Sequence, residues 1–442
     1  MLGARDETGA RRAGIVLSAL VLMVVFLATL TPSGDTSSSS FWCIACGEFG
    51  GLDVLNNIVL FLPLGFAFAL ASGHRWRSVL ACVAVTTFIE SMQVRVVSGR
   101  DSSLSDLLSN SLGGLLGVEL AVRRVLLIRP RGRAATVLAV AGAAAFGLVT
   151  TLTTVGLRPA SIPRSLWLQW TPERKSFEPF TGQLVDLKVN GAAIPKAYFP
   201  PKSLRLDRIL ASPRWHATVT LETAGIRPRR SVLVRIAEEY TVLVSIEQHG
   251  WDLTCEEKTR SSDFLFRSPR VALPNALAPS GLTPGRIRFT CAREGNSLVA
   301  SMDDRQEVLR LSPSLGWRLL DPFALELPRY LWIGAIWLMA LAFPAGYWIS
   351  CCTQDHTDGA IQGNSSGGPS VAIGALAIAF LVGLLIVPVL AGAAPAAWWE
   401  WVSAAVGALA GSGAAWLWKA RVAHLPIRHG GATVSTVSDP VP

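Results

Sequence analysis

Polar and ionisable residues are concentrated in a stretch that is otherwise apolar enough to enter a bilayer, IESMQVRVVSGRDSSLSDLLSNSLGGLLG. Glu90 and Gln93 are three positions apart, so on a helix they share one face. Asp106 and Asn110 are four positions apart and would also share a face. A carboxylate inside a membrane is costly, and such groups normally face the interior of a helix bundle and find partners there. We therefore expect these four side chains to converge.

Two further residues belong to this polar set. Asn57 begins another apolar run and would reach the same depth from a third helix. Arg100 lies on the connection above, where its guanidinium could neutralise Glu90 and Asp106 or bind a phosphate or carboxylate bidentately. The set predicts an outward-facing polar pocket with these members: Asn57, Glu90, Gln93, Arg100, Asp106 and Asn110.

Small residues continue the face of Asp106. Gly113, Gly114 and Gly117 would let a neighbouring helix approach closely and form a wall beneath the polar groups. The alternative is a purely structural role in folding a helical hairpin, in which Arg100 forms ion pairs with the two carboxylates and the amides cap helix ends.

The composition of the chain indicates the environment of these residues. Half of the 442 residues are hydrophobic and only 16% are charged, which is unusual for a soluble domain. A membrane-spanning helix needs roughly 20 apolar residues. Such runs occur at about 14–31, 54–72, 77–97, 104–122, 134–156, 329–350, 370–391 and 397–418. The sequence therefore predicts a polytopic α-helical membrane protein with about eight transmembrane helices.

The distribution of basic residues predicts the orientation. Lys and Arg precede the first apolar run and follow the second, fourth and eighth, whereas residues 32–52 contain none. Because basic loops resist translocation, both termini are expected in the cytoplasm. The first run is expected to be an uncleaved anchor, since FLATLTPSG is a poor signal-peptide cleavage site. The net charge of +9 is largely this topology signal, so membrane lipids and not nucleic acid are the expected partners.

The segment between the fifth and sixth runs has a different pattern. Short alternating runs such as HATVTLET, SVLVRIA, YTVLVSIEQ, RIRFTCA and NSLVASM are typical of strands, and turn signals such as QHGW and TPGR separate them. They predict an inserted all-β sandwich of antiparallel strands, extracytoplasmic because an odd number of spans precedes it. The expected division is 1–157, five transmembrane helices; 158–328, the sandwich; 329–420, three transmembrane helices; and 421–442, a cytoplasmic tail.

Four cysteines bear on the compartment. Cys255 and Cys291 lie on predicted strands and could pair in an oxidising compartment, or could be two buried thiols. Cys43 and Cys46 form a single CxxC, for which a strained or absent local disulfide is favoured over zinc binding or redox catalysis. No metal centre and no cofactor are expected.

Three motifs carry a resemblance to a known family. NIVLFLPLGFAFAL at 57–70, IESMQ at 89–93 and RDSSLSDLLSNSLGGLLG at 100–117 resemble VanZ-like membrane proteins over about residues 14–125. Ser103 departs from the family pattern, because many members have an acidic residue there. The resemblance implies an integral protein of the bacterial cell envelope, associated in some members with glycopeptide-antibiotic resistance.

The predicted sandwich is similar to laminin-G or concanavalin-A-like domains. The similar stretches are SVLVRIAEEYTVLVSIEQHGWDLTCEEKTR and TPGRIRFTCAREGNSLVASMDDRQ. This resemblance implies glycan binding, sometimes through calcium, and makes a cell-wall or surface glycan a candidate partner. Asp303 and Asp304 could ligate calcium, although adjacent carboxylates on a hairpin are more typical of a solvated turn.

A weaker internal similarity links the two ends of the chain. EWVSAAVGALAG at 400–411 aligns with DLLSNSLGGLLG at 106–117, which places Glu400 against Asp106. Either a degenerate repeat or shared Gly and Ala composition explains it.

These observations favour a membrane protein that binds an anionic lipid head group or a glycan-bearing lipid in the outer leaflet. One alternative is an enzyme that modifies such a lipid or glycan, with Glu90 or Asp106 as general base. Another is a scaffold whose sandwich binds glycan or protein while the helices anchor it.

Overall fold

The structure is a computed structural model. It describes residues 2–31, 42, 49–95, 97, 103–163, 165–172, 177–196, 205–222, 226–238, 241–278, 285–321, 331–354 and 368–423. Arg100, Cys43 and Cys46 lie outside the described residues, so what the sequence predicts for them stays a prediction.

Long helices occupy all eight predicted apolar runs. The helices are α1 (Leu2–Leu30), α2 (Gly50–Ser72), α3 (Arg75–Arg95), α4 (Leu104–Val122), α5 (Arg124–Ile128), α6 (Arg133–Gly156), α7 (Leu206–Ala211), α8 (Gly316–Leu319), α9 (Leu331–Gln354), α10 (Gly368–Leu381), α11 (Val387–Ala391) and α12 (Trp398–Ala423). A π-helical turn, Val382–Ile386, joins α10 to α11. The run at 370–391 is therefore one continuous helical segment.

Five of these helical segments are long and apolar enough to cross a membrane: Thr8–Leu30, Gly50–Ser72, Arg133–Gly156, Leu331–Cys352 and Gly368–Ala391. The prediction of a multi-pass membrane protein agrees with these helices. The other three, α3, α4 and α12, have 21, 19 and 26 residues and contain more polar residues. Membrane crossing by these three stays a prediction.

Glycines bring α2 and α4 into backbone contact. A Cβ on Gly117 would lie 2.8 Å from the Phe66 amide nitrogen, and one on Gly113 would lie 2.9 Å from Ile58 Cα. Gly114 faces the side chain of Cys82 on α3. The expected wall of small residues is therefore present between α4 and its two neighbours.

The segment after α6 contains the strands β1 (Trp167–Trp170), β2 (Gln183–Val189), β3 (Ala192–Ala193), β4 (Arg214–Glu222), β5 (Arg229–Glu238), β6 (Thr241–Gly250), β7 (Asp252–Glu257), β8 (Arg270–Leu273), β9 (Arg286–Glu294), β10 (Ser297–Met302) and β11 (Arg305–Arg310). They form a five-stranded sheet, β1-β5-β6-β7-β8, and a six-stranded sheet, β11-β10-β9-β4-β2-β3. All of the pairings are antiparallel. Side chains from both sheets form one apolar core, which confirms a sandwich-like β domain.

A disulfide joins the two sheets. Cys255 on β7 is bonded to Cys291 on β9, with 5.6 Å between their Cα atoms. Near it, Glu257 on β7 accepts a 2.5 Å hydrogen bond from Arg293 Nη1 on β9 and a 3.3 Å bond from Trp215 Nε1 on β4. The core is thus crosslinked by one covalent bond and one buried ion pair.

Asp303 and Asp304 form the exposed two-residue turn between β10 and β11, whose flanking residues Met302 and Arg305 pair. Asp303 adopts a positive φ of 51°, which Asp tolerates in tight hairpins. The arrangement is the solvated turn that the sequence favoured.

The sandwich rests on the helix ends where α2 and α12 begin and α6 ends. The Leu52 amide on α2 donates to Leu265 O at 3.3 Å, and the Ala394 amide before α12 donates to Leu311 O at 3.1 Å. Arg310 Nη2 donates to Pro395 O at 2.7 Å. Backbone bonds therefore connect the sandwich to both helical regions, and the side of the membrane on which it lies stays a prediction.

Candidate functional site

Ser103 connects the two carboxylates of the predicted site. As the N-cap of α4, its Oγ accepts a 3.0 Å bond from the Asp106 amide. Its own amide donates to Glu90 Oε2 on α3 at 3.1 Å. Glu90 is only 7% exposed, so this bond gives one of its carboxyl oxygens a donor inside the bundle. The residue that departs from the family pattern therefore has a structural role here.

Asn57 and Asp106 join α2 to α4. Asn57 Nδ2 donates to Asp106 Oδ1 at 2.6 Å. The contact is possible because Gly113 and Gly117 let the two helices approach so closely. Charge-assisted hydrogen bonds of this kind are among the stronger ones in proteins.

Asn110 bonds to α3 one turn deeper. Its Nδ2 donates to Thr86 Oγ1 at 3.0 Å, and both side chains are buried. Its carbonyl oxygen Oδ1 is also buried and has no hydrogen-bond partner among the described residues.

Gln93 is directed to α1 instead of α4. Its Nε2 donates to the backbone oxygen of Thr29 in the last turn of α1 at 3.0 Å. Its Oε1, like the Asn110 oxygen, is buried without a partner in the described part of the chain. The structure thus brings four helices together at this depth, where the sequence predicted three.

Five of the six predicted site residues are described, and together with their partners they form one group at the ends of α1 to α4. We call it the polar cluster, defined as Asn57, Thr86, Glu90, Gln93, Ser103, Asp106 and Asn110. Thr86 and Ser103 were missed from the sequence. Ser103 had a usable signal, because a Ser three residues before an acidic residue at a helix start is a capping pattern.

Two surface cavities lie away from the cluster, on the outer face of the six-stranded sheet. One, of about 680 Å³, has both charges in its lining, which consists of Val185, Asp186, Thr220, Arg286, Ile287, Arg288, Thr290, Ser301, Met302 and Asp303. The other, of about 760 Å³, includes Asn190, Arg214, His216 and Glu294. Within the described ranges, no group of three or more His, Cys, Asp or Glu residues is placed to hold a metal ion.

The comparison with protein families concerns the N-terminal helices. Residues 11–128 match the VanZ/LLP1 family model. This stretch is VanZ-like. The VanZ-like segment, residues 11–128, extends from α1 to α5 and contains every member of the polar cluster. No curated protein and no solved structure matches the chain significantly, so the laminin-G resemblance of the sandwich stays a prediction.

Proposed function

We propose that this protein crosses the membrane several times and that its VanZ-like segment binds the head group of a lipid at the polar cluster. The head group is anionic or carries a glycan. The link to glycopeptide-antibiotic resistance that the VanZ-like resemblance implies belongs to this proposal, because envelope lipids carry the glycans of the cell wall.

The amide oxygens of Gln93 and Asn110, which are buried without a hydrogen-bond partner among the described residues, carry the proposal. A buried acceptor without a donor costs about 1–3 kcal/mol, so a structure that only needed to join helices gains nothing from two of them. Hydroxyl groups of a sugar or glycerol head group would supply the missing donors. Glu90 and Asp106 add further acceptors within the same cluster.

Arg100 is proposed to meet the negative charge of the ligand. In sequence it lies in the connection between α3 and α4, between Glu90 and Asp106. A guanidinium pairs with phosphate or carboxylate in a planar fork that an ammonium cannot reproduce. Arg100→Ala should therefore lose the lipid, and Arg100→Lys should restore it poorly.

The proposed orientation places the cluster in the outer leaflet. Both termini would be cytoplasmic, as the basic loops predict, and the sandwich would be extracytoplasmic. The bond between Leu52 and Leu265 supports this arrangement, because it joins the sandwich to the first turn of α2, about one and a half turns before Asn57.

Lipid analysis of the purified protein tests the proposal. The informative variant is the double substitution Thr86→Val with Asn110→Leu, which removes both partners of one hydrogen bond and leaves no new unpaired group. We expect near-normal folding and loss of a lipid that co-purifies with the wild type, identified by mass spectrometry. Thr150→Val is the control, because among the described residues this buried hydroxyl on α6 bonds to its own helix alone. Retention of the same lipid by the double variant would refute the proposal.

A second candidate function concerns the sandwich. The cavity that contains Asp186, Arg286 and Arg288 is open, polar and bears both charges, which suits a glycan or another polar polymer. In that case the sandwich would bind a cell-wall or surface glycan while the helices hold it at the membrane. Arg288→Ala should then weaken retention of the protein on purified cell-wall polysaccharide, and Arg230→Ala, outside this cavity, should not.

A further inference from the structure

Helices α9 and α12 repeat the close contacts of α2 and α4. In each pair, three glycines meet the backbone of the facing helix. For α2 and α4 the contacts are Gly113 with Ile58, Gly117 with Leu62, and Gly65 with Gly114. For α9 and α12 they are Gly407 with Met339, Gly411 with Phe343, and Gly346 with Ala408. Each contact in the second set follows from one in the first when a constant is added to the residue numbers. From α2 to α9 this constant is the difference between Ile58 and Met339, and from α4 to α12 it is the difference between Gly113 and Gly407.

The geometry of the contacts also agrees. A Cβ on Gly117 would lie 2.8 Å from the Phe66 amide nitrogen, and a Cβ on Gly411 would lie 2.8 Å from that of Tyr347. Both α2 and α9 contain an internal proline two residues before the contacting glycine, Pro63 and Pro344. Shared Gly and Ala composition does not produce the same contact register on two helices at once.

A preceding helix also packs on the first member of each pair. A Cβ on Gly14 of α1 would lie 2.8 Å from the backbone of Leu70 on α2, and a Cβ on Gly142 of α6 would lie 3.1 Å from the backbone of Ala345 on α9. The sandwich is inserted between α6 and α9, at the place where residues 31–49 connect α1 to α2. The third helix differs, because α10 packs mainly along α6 through Ala379.

The polar cluster is replaced in the second pair of helices. Leu338 stands at the position of Asn57, and Ala404 stands at that of Asn110; both are fully buried. Because α10 packs on α6, no described helix takes the place of α3 beside α12 to carry counterparts of Glu90 and Gln93. The acidic position alone is kept, as Glu400 in place of Asp106.

Glu400 faces the sandwich. Its side chain is fully buried, and Oε1 accepts bonds from Ser312 Oγ at 2.8 Å and from the Ser314 amide at 3.1 Å. Oε2 accepts a 2.6 Å bond from the Ala397 amide at the start of α12. Ser312 and Ser314 directly follow the last strand of the sandwich. Oε1 therefore joins α12 to the segment that follows the sandwich, while Oε2 caps the start of α12 itself.

We infer that the chain contains two copies of one membrane unit, and that in the second copy the acidic position of the polar cluster has become a joint to the sandwich. Glu400, the counterpart of Asp106, is the positioning residue that holds the segment from Ser312 to Ser314 on α12. The first copy keeps the polar cluster. This inference does not depend on what, if anything, the cluster binds.

Hydrogen exchange of the full-length protein in detergent tests the inference. Glu400→Ala should raise exchange of the amides in the segment 310–316 at least about tenfold, because the Ser314 amide loses its acceptor. Glu400→Gln, which keeps one acceptor oxygen, should give a smaller rise. Asp106→Ala, at the matched position of the first copy, should leave the segment 310–316 unchanged.

Ser312→Ala provides a second route that leaves α12 intact. It should raise exchange in the same segment. The double variant with Glu400→Ala should show less than the sum of the two single effects, because both substitutions remove the same hydrogen bond between Ser312 and Glu400. Unchanged exchange at 310–316 in Glu400→Ala and in Ser312→Ala would overturn the docking role. An equal effect of Asp106→Ala on this segment would overturn the division of roles between the two copies.

Discussion

Asn57 on α2 and Asp106 on α4 are joined by a hydrogen bond of 2.6 Å, although 49 positions separate them in sequence. At the equivalent place in α9 and α12, Leu338 is fully buried and Glu400 bonds to the sandwich instead. The same helix pair thus supports a polar cluster in one half of the molecule and a docking joint in the other.

Glycine packing should be equally important in both helix pairs. Gly117→Ala and Gly411→Ala each place a Cβ against the backbone of the facing helix. Each should therefore reduce the free energy of unfolding by about 1–3 kcal/mol, which is measured as a lower melting temperature of the detergent-solubilised protein. Gly413→Ala is the matched control on α12, since open space surrounds it and Ala favours helix. A similar loss of stability for Gly413→Ala would contradict the packing role of the other two.

The buried ion pair of the sandwich should be costly to break from one side. Arg293→Ala leaves Glu257 buried without its partner and should reduce the free energy of unfolding of the sandwich by about 3–5 kcal/mol, measured by denaturant titration. The double variant Arg293→Leu with Glu257→Leu should recover much of that loss. Arg286→Ala, in an exposed pair with Glu222, should cost less than about 1 kcal/mol. If Arg293→Ala costs no more than Arg286→Ala, the pair is not a structural joint.

Glu247 should make the sandwich sensitive to acid. Burial disfavours its charged form, but the hydrogen bond from His249 and the charges of His249 and Arg270 outweigh burial and lower the pKa of Glu247. In the unfolded chain the carboxyl takes up its proton near pH 4.5, before the folded protein does. The stabilisation is therefore complete above that pH and is lost as the pH falls towards the folded pKa.

The matching measurement is the free energy of unfolding between pH 7 and pH 3. Glu247→Gln should flatten its decline below about pH 4.5, whereas Asp304→Asn, in the exposed hairpin turn, should leave the profile unchanged. A decline as steep in Glu247→Gln as in the wild type would show that other carboxylates carry the acid sensitivity.

The proposed orientation predicts a protease pattern. Protease added outside spheroplasts should cut within residues 158–328, while tags at both termini stay protected until the membrane is permeabilised. The physical reason is the asymmetry of the basic loops, which keeps them in the cytoplasm. Cleavage of a terminal tag in intact spheroplasts, or protection of the sandwich, would contradict the proposed orientation.

The sequence located the helices well and their side-chain partners less well. Apolar runs placed α4 at its observed bounds, because composition alone separates long apolar helices from polar loops. The partner of Gln93 was not foreseen, since helical spacing fixes a face but not which neighbouring helix meets it. Thr29 belongs to an apolar run and gave no signal of its own.

The β segment shows a similar division. Strongly alternating runs predicted β4, β5, β6, β9 and β10, whereas β11, RQEVLR, is a mostly exposed edge strand without that alternation. The pairing of strands into two sheets depends on contacts distant in sequence and could not be derived. The internal similarity between 106–117 and 400–411 was ambiguous in the sequence for the same reason. The contacts between α9 and α12, compared with those between α2 and α4, are what distinguish duplication from shared composition.

Lipid-dependent stabilisation tests the central claim most directly. A ligand that binds the folded protein at 100 times its Kd stabilises it by about 2.7 kcal/mol. Adding an anionic phospholipid such as phosphatidylglycerol, or a glycan-bearing lipid, to delipidated wild-type protein should raise the melting temperature by several degrees, with phosphatidylcholine as the reference. Gln93→Leu should fold and show little of this rise. An equal rise in Gln93→Leu and the wild type, or no rise with any of these lipids, would contradict lipid binding at the polar cluster.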